Sequence, residues 1–585
     1  MQKSKKTFFV SFYNGVFGLT LAGVVLYLLA LPPTGLWVLG WPVAACWTPL
    51  LRRKTLPKRA YRKIWLAGVI FWAIAVHWVC YAHWAACFGW LALCCYLGIY
   101  FPLFIFFSRT LYHTPIWRNY RFPVWFAAPV AWLAVMYLQK TLMGGFGFAL
   151  LEHTQIRQTA LIQLADVGGE SLVGAVMIFV GVSLGYCLPT TLSEKPSVKK
   201  TATCMVVIVL TFLFLISYAH WRDSQLRPSD KPPLRVALLQ GNFKASLSAP
   251  PEWYDEVFEN YSQLAIGAAK NKNVDVIIWP ESTCVYTWVD VDRSELSAVD
   301  LKGMTEEKIN QIFLEKYEGN RKITELTQLI DIPSIYGVGS FVYSEYHRDF
   351  YQYNSALMVE NNNDLDYNLS DYYSLRSKKR FTRYDKMLLV MFGEYIPLAE
   401  FLPDNFFLKT LCQKADFGKS PVCFYLRCSN GDEPNHGNNG YINGKYYLAS
   451  ANICFESSSS HLIRYQLLKL KEQREEPDIL INLSNDGWFR HSSQIDMHLA
   501  THVFRAIENR KPYVAATNGG FSVEINGSGK ILHIGKRAKN QVIYAEITAD
   551  NRFSTYSCVG SFFHITSLGF VFVMFTFHLL RYRRS

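Results

Sequence analysis

The sequence predicts a polytopic α-helical membrane domain of about eight spans, with an α/β domain inserted before the last span. Three observations predict it. Half of the 585 residues are hydrophobic and only 18% are charged, and the apolar runs crowd the first part of the chain and return at its very end. Lys and Arg gather in alternate loops between those runs, as retention of positive charge on the cytoplasmic side produces. From Leu234 the texture changes to short β-rich runs separated by polar helical stretches.

The first run, Phe8 to Leu31, carries no charge and is long enough to cross the ~30 Å hydrocarbon core. The Lys3-Ser4-Lys5-Lys6 start suits a signal peptide. However, the run is too long and Leu31-Pro32-Pro33 offers no small-residue cleavage site, so an uncleaved anchor is expected. Further spans are expected at about 35–51, 64–82, 88–108, 122–139, 170–188, 203–221 and 560–580. Basic loops at Arg52 to Lys63, Arg118 to Arg121, Lys195 to Lys200 and Arg581 to Arg584 alternate with loops at 32–35 and 83–88 that hold no Lys or Arg. The alternation places both termini in the cytoplasm and divides the chain into 1–221, an outward-facing 222–558, and 559–585. The net charge of +13 is accounted for by these loops; no aromatic-interleaved basic patch is present, and no nucleic-acid partner is expected.

In the outward part, Leu234 to Gln240 and Val274 to Trp279 read as buried strands, with a helix near 252–270 between them. Strands are also expected at 334–341, 354–358, 446–453, 478–482, 512–516, 521–525 and 542–546. The polar stretches Glu360 to Ser374 and Ser429 to Gly440 read as surface loops, and Phe401 to Gly440 as an outward insertion. Cys412, Cys423 and Cys428 lie in that insertion, where an oxidising compartment permits a disulfide between two of them.

Three reactive side chains are each expected just past a strand: Glu281 in Trp-Pro-Glu-Ser, Lys386 in Tyr-Asp-Lys-Met, and Cys454 in Asn-Ile-Cys-Phe-Glu. A lone cysteine is more often an inert small hydrophobe than a nucleophile. In α/β sheets, however, strand carboxyl ends converge on one crevice, so the three can meet. A carboxylate to take the thiol proton and a cation to stabilise an oxyanion would then make Cys454 an acyl-accepting nucleophile. His498 and His502 stand one helical turn apart, but Leu499 replaces the glutamate of a zinc-protease motif and no third ligand is evident, so no metal is expected.

Glu281, Lys386 and Cys454, with the flank from Asp385 to Pro397 and Cys454-Phe455-Glu456, resemble the Glu-Lys-Cys triad of the nitrilase, or carbon–nitrogen hydrolase, superfamily. The membrane frame, Phe392-Gly393-Glu394-Tyr395, Leu483 to Phe489 and Thr517 to Gly520 narrow the resemblance to membrane-bound bacterial N-acyltransferases of that superfamily. The resemblance implies a nitrilase-like αββα sandwich facing the periplasm of a multi-pass inner-membrane protein, acting as a monomer without cofactor. It further implies a ping-pong reaction. Cys454 takes a fatty acyl group from a phospholipid and passes it to the α-amino group of the N-terminal diacylglyceryl-cysteine of a lipoprotein. Glu281 is the implied base, Lys386 the oxyanion stabiliser, and Glu394 and Glu456 supporting carboxylates. Implied substrate contacts are Trp253, Leu388, Met391, Asn485 and Trp488. Leu388 and Met391 replace the His and Pro that are common in the family, and Asn518-Gly519-Gly520 has one Asn where two are common. The alternatives are a membrane-tethered amidase, in which water resolves the thioester, and a non-catalytic lipid-binding scaffold.

Overall fold

A computed structural model describes residues 15–582 apart from 116–120, 188–196, 247–248, 272, 293–305, 345–348, 361–380, 398, 402, 404–411, 413, 429–445 and 490. The chain forms two compact units. One comprises Met1–Leu226, Ser492–Arg510 and Arg552–Ser585, and the other Arg227–His491 and Lys511–Asn551.

The first unit is helical: α1 (Val16–Ala30), α2 (Val43–Arg52), α3 (Ala60–Ala75), α4 (Ala86–Gly98), α5 (Tyr100–His113), α6 (Val124–Thr141), α7 (Glu170–Cys187) and α8 (Val198–Ser224). Among the described residues, five helical segments are long and apolar enough to cross a membrane: Ala86–His113, Val124–Gly144, Glu170–Cys187, Val198–Ser224 and Phe562–Arg581. A shorter apolar helix, Val16–Ala30, adds to these, and the expected count of eight is not confirmed among the described residues. The run at 35–51 resolves into a 3-10 turn at Trp37–Gly40 and the ten-residue α2, and that at 64–82 ends as helix at Ala75. The first expected span falls partly outside the described residues. Pro102 marks the joint between α4 and α5, because it lacks an N–H and its ring crowds the carbonyl four residues back, on Gly98.

Within this unit a buried charged network joins α6 and α7 to a helix from far along the chain, α12 (Gln494–Asn509). Lys140 Nζ donates to Glu170 (2.6 Å) and Ser171 (2.7 Å), and Arg505 pairs with Glu170 (2.9 Å) and Glu508 (2.8 Å). Asp166 accepts from Tyr218 (2.8 Å) and pairs with Arg222 (2.7 Å) and Arg510 (2.5 Å). His498 and His502 lie buried on α12 with ring centroids 4.5 Å apart, His498 set edge-on to Phe148.

The second unit holds two sheets. The first has β1 (Leu234–Gln240), β2 (Val276–Ile278), β3 (Cys284–Asp292), β4 (Ser334–Ser344), β5 (Asp349–Val359), β6 (Phe381–Asp385) and β13 (Gln541–Ile547), in the order β13-β1-β2-β4-β5-β6 with β3 also on β4. The second has β7 (Cys423–Arg427), β8 (Tyr446–Ile453), β9 (Ile479–Asn485), β10 (Tyr513–Asn518), β11 (Val523–Ile525) and β12 (Ile531–Ile534), in the order β12-β11-β10-β9-β8-β7. Strand periodicity builds the layers. Leu234, Val236 and Leu238 pack in one core with Ile453, Ile481 and Val514 of the other sheet. Ala237 and Leu239 face the opposite way, toward Tyr261 and Ala265 of α9 (Pro251–Ala269) and Ile323 of α10 (Glu306–Ile330). With α11 (Ser460–Glu472) also in this unit, the αββα expectation holds.

Strands β3, β6, β7 and β12 were not legible in the sequence. β7 lies inside the stretch read as an outward insertion and pairs with β8, burying Cys423 and Cys428. No disulfide joins Cys412, Cys423 and Cys428. The expected loops Glu360 to Ser374 and Ser429 to Gly440 fall, but for Glu360, outside the described residues.

Breaking the Asp166 network strands a buried charge. Arg510→Met is expected to destabilise the helical unit by about 3–5 kcal/mol, read as a lowered thermal midpoint in detergent.

Candidate active site

The topology sets three side chains on one sheet edge or the other. In the first sheet β2 and β4 are parallel, and β6 follows two antiparallel steps later, so β2 and β6 end at the same edge. Glu281 follows β2 and Lys386 follows β6. In the second sheet the parallel strands β8, β9 and β10 deliver Cys454, Asn485 and Asn518 side by side at their carboxyl ends. Two close approaches need glycine. A Cβ on Gly337 would sit 2.1 Å from Pro280 O beside Glu281, and one on Gly418 2.0 Å from Asp385 O beside Lys386.

Lys386 is 1% exposed, and its Nζ donates to Glu281 Oε1 (3.0 Å) and Glu394 Oε1 (2.9 Å). Burial alone would lower the ammonium pKa, but the two carboxylates outweigh it and hold it well above the usual lysine value. Burial would likewise raise Glu394, yet Lys386, the Val390 N–H (2.8 Å) and Asn354 hold that carboxyl below its usual range. The Asn354 amide donates to Glu281 (2.7 Å) and Glu394 (3.0 Å), so both acids are tied to β5 as well as to the lysine. Glu281 Oε2 accepts from the Asn485 N–H (2.9 Å), which links it to β9.

Cys454 opens a 3-10 turn directly after β8 with φ +50°, a left-handed conformation that L-residues adopt at a cost of about 1–3 kcal/mol. Burial and then Glu281 push its thiol well above the usual range, with Lys386 opposing. The resting group is therefore the thiol, and its proton must leave as the sulfur attacks. Glu456, fully buried, accepts from Ile453 N (2.7 Å), Met387 N (2.6 Å), Leu388 N (3.0 Å) and Tyr384 Oη (2.8 Å). One carboxyl thus laces the cysteine turn to the lysine loop, and Gln466 donates to the same tyrosine hydroxyl (2.7 Å). Burial pushes Glu456 up to about 7 against these donors.

The structure places the expected contact residues unevenly. Asn485 is 8% exposed, and its Oδ1 accepts from Gly487 N (3.2 Å) and Asn518 Nδ2 (2.8 Å), which shape the turn carrying half-buried Trp488. Leu388, Val390 and Met391 are half-buried while Leu389 turns inward, so the apolar stretch after Lys386 is part core and part lip. Trp253 packs edge-on to Phe243, ring centroids 6.4 Å apart, and Phe243 N donates to Asn518 Oδ1 (3.0 Å). Asn354 and Tyr384 belong to the constellation and were not singled out from the sequence, whereas Asn518 entered there only within the Thr517 to Gly520 motif. The one signal for Asn354 is a polar amide in the otherwise apolar run that follows Tyr353.

A two-sheet sandwich that brings a glutamate, a lysine and a cysteine to its strand ends defines the class of protein: an enzyme of the nitrilase type. The chain belongs to the carbon–nitrogen hydrolase family, whose pattern matches residues 235–554, while residues 22–183 match the apolipoprotein N-acyltransferase N-terminal domain. Proteins named apolipoprotein N-acyltransferase are similar over most of the chain. That of Geobacter metallireducens is 26% identical, covering 74% of this chain and 70% of its own. That of Rhodopirellula baltica is 24% identical, covering 76% and 75%. That of Vibrio parahaemolyticus is 25% identical, covering 74% and 71%. The pairing of the two domains makes this chain an acyltransferase enzyme of the family.

Glu394→Gln removes one of the two charges on buried Lys386 and is expected to cost about 3–5 kcal/mol near neutral pH. The depressed Glu394 value means that this contribution is present above the ordinary 4.5 and is lost as pH falls through the lower folded value. The raised Lys386 value means that charge loss on the lysine removes it only above the ordinary 10.5. Thermal melts from mild acid to neutral pH should therefore show a constant gap between wild type and variant that closes only below about pH 4.5.

Proposed function

We propose that this chain moves a fatty acyl group from a membrane phospholipid to the α-amino group of a lipoprotein's N-terminal diacylglyceryl-cysteine, through a thioester on Cys454. The observation that carries this reading is the Lys386 ammonium bonded to both Glu281 and Glu394 beside the Cys454 turn. It supplies a base and a fixed positive charge at a thiol. The relatives' name supplies the acceptor class.

In the first half-reaction Glu281 takes the thiol proton as the sulfur attacks the ester carbonyl of the donor. The carbon–oxygen bond then breaks, the proton passes to the glycerol oxygen, and the lysophospholipid leaves. In the second, the neutral amine attacks the thioester carbonyl, Glu281 takes its proton, the carbon–sulfur bond breaks, and the proton returns to sulfur. Lys386 stabilises the oxyanion in both steps. Glu394 holds the lysine and Glu456 holds the two loops in register. Half-buried Leu388, Val390 and Met391 suit an acyl chain, and the apolar helices suit an enzyme whose two substrates are lipids. The alternation of basic loops supports a bacterial inner-membrane location with the catalytic unit on the periplasmic side and both termini in the cytoplasm.

Protein purified from membranes should show, by intact mass, a hydroxylamine-labile increment of one fatty acyl group that Cys454→Ala lacks. No increment in wild type, even after incubation with phospholipid, overturns the acyl-transfer reading. Lys386→Met should slow thioester formation by about 10²–10³-fold, read by the same mass shift over time.

A further inference from the structure

Each oxygen of the two carboxylates around Lys386 has a definite set of donors. Glu281 Oε1 accepts from Lys386 Nζ (3.0 Å) and Asn354 Nδ2 (2.7 Å), and Glu394 Oε1 accepts from the same two nitrogens at 2.9 and 3.0 Å. The second oxygens each take a backbone N–H, Glu281 Oε2 from Asn485 (2.9 Å) and Glu394 Oε2 from Val390 (2.8 Å). A carboxylate oxygen has two acceptor sites, so among the described residues both Oε1 atoms are full and each Oε2 keeps a site open. The two open sites have different surroundings. That of Glu394 belongs to the lysine's own loop, whereas Glu281 Oε2 is tied to the end of β9, the strand that runs parallel to β8 and its Cys454 turn. Asn354 fills the Oε1 sites alongside the lysine, and its amide must present nitrogen to both acids because carboxylates only accept. Both of its N–H groups are thereby used, while its buried Oδ1 has no donor among the described residues, so the side chain serves through its donors and not its carbonyl. Strand register sets it beside the lysine: Ser355 pairs with Asp385, and the Lys386 N–H donates to Asn354 O (2.8 Å).

We propose that Asn354 is a positioning residue for the reaction: by closing Oε1 of Glu281 it directs the Cys454 proton to Oε2, and by donating to the ionised carboxylate it keeps Glu281 ready to accept that proton. The inference rests on Glu281 being the base for Cys454 and deepens the acyl-transfer reading without requiring either lipid. The ionisable groups around Glu281 are Lys386 after β6, Glu394 in the loop that follows and the Cys454 thiol after β8, with Asp486 next to Asn485 after β9. Of these, only Lys386 donates to Glu281 from its side chain, so Asn354 is the one neutral side chain that sets how firmly the charged form is held. Lys386 itself has three hydrogens and gives two to the acids, which leaves one for a substrate oxygen.

Iodoacetamide reports on the base without either substrate: the bond from sulfur to carbon forms, iodide leaves, and the thiol proton passes to Glu281. The full-length protein in detergent is alkylated from about pH 4 to about pH 9, and modification of Cys454 is followed by peptide mass spectrometry. The wild-type rate should fall on the acid side as Glu281 becomes protonated, and Glu281→Gln should lack that limb. Asn354→Leu, similar in volume but without donors, should move the limb up by about one to two pH units, because a carboxylate that loses a donor protonates more readily. Asn354→Asp, the same shape with a third carboxyl set against two, should move it further. Asn354→Ser, which keeps one donor, should give a smaller shift and serves where the leucine variant does not fold; thermal midpoints report folding in each case. A side chain that merely filled space would lower the rate or the midpoint and leave the limb in place. An unmoved limb in the folded variants, or an acid limb that persists in Glu281→Gln, overturns the proposal. A limb that moves as expected in a protein whose Cys454 never carries an acyl group leaves this proposal standing while the acyl-transfer reading fails.

Discussion

The catalytic unit depends on one buried cation. Lys386 at 1% exposure would be intolerable alone, because removing an ammonium from water costs several kcal/mol. Its two carboxylate partners come from different parts of the chain, Glu281 after β2 and Glu394 eight residues on, and Asn354 on β5 donates to both. Each member is therefore needed to make the others affordable in a dry site. The same condition fixes the geometry, since a charge that must be paired cannot wander, and a base and an oxyanion stabiliser need fixed positions.

Glu456 does for the backbone what Lys386 does for the side chains. Its carboxyl gathers N–H groups from the cysteine turn and from the lysine loop, so two segments about seventy residues apart move as one. That tie also holds Cys454 in its left-handed conformation, where a free turn would relax. The helical unit follows the same logic with other residues. Arg505 and Glu508 on α12, and Arg510 just past its end, are buried because Glu170 and Asp166 meet them, and the helix belongs to that unit although its sequence neighbours are β9 and β10.

What was legible in the chain follows from what is local. β1 and β8 were read to the residue because an apolar run bounded by polar or glycine residues states its own limits. Glu281, Lys386 and Cys454 could be picked out because each lies in a short motif of fixed spacing. β3, β6 and β7 were missed because their polar and aromatic residues look like loops until a neighbouring strand pairs with them. Two of the expected spans differ from the described helices for the converse reason. Apolar composition around Pro42 and near Ala75 permits a span, but the backbone turns there.

The sequence by itself determined the kind of molecule: apolar runs with alternating basic loops, an α/β domain, and three reactive residues beside strand ends, all of them properties of neighbouring residues. Only the tertiary structure decided which groups meet. Asn354 joining two acids, and Tyr384 with two loop N–H groups converging on Glu456, depend on strand register and on burial. Pairing between distant strands leaves no local periodic trace, and the value of a hydrogen bond in a dry site is set by the groups around it, so neither can be read one segment at a time.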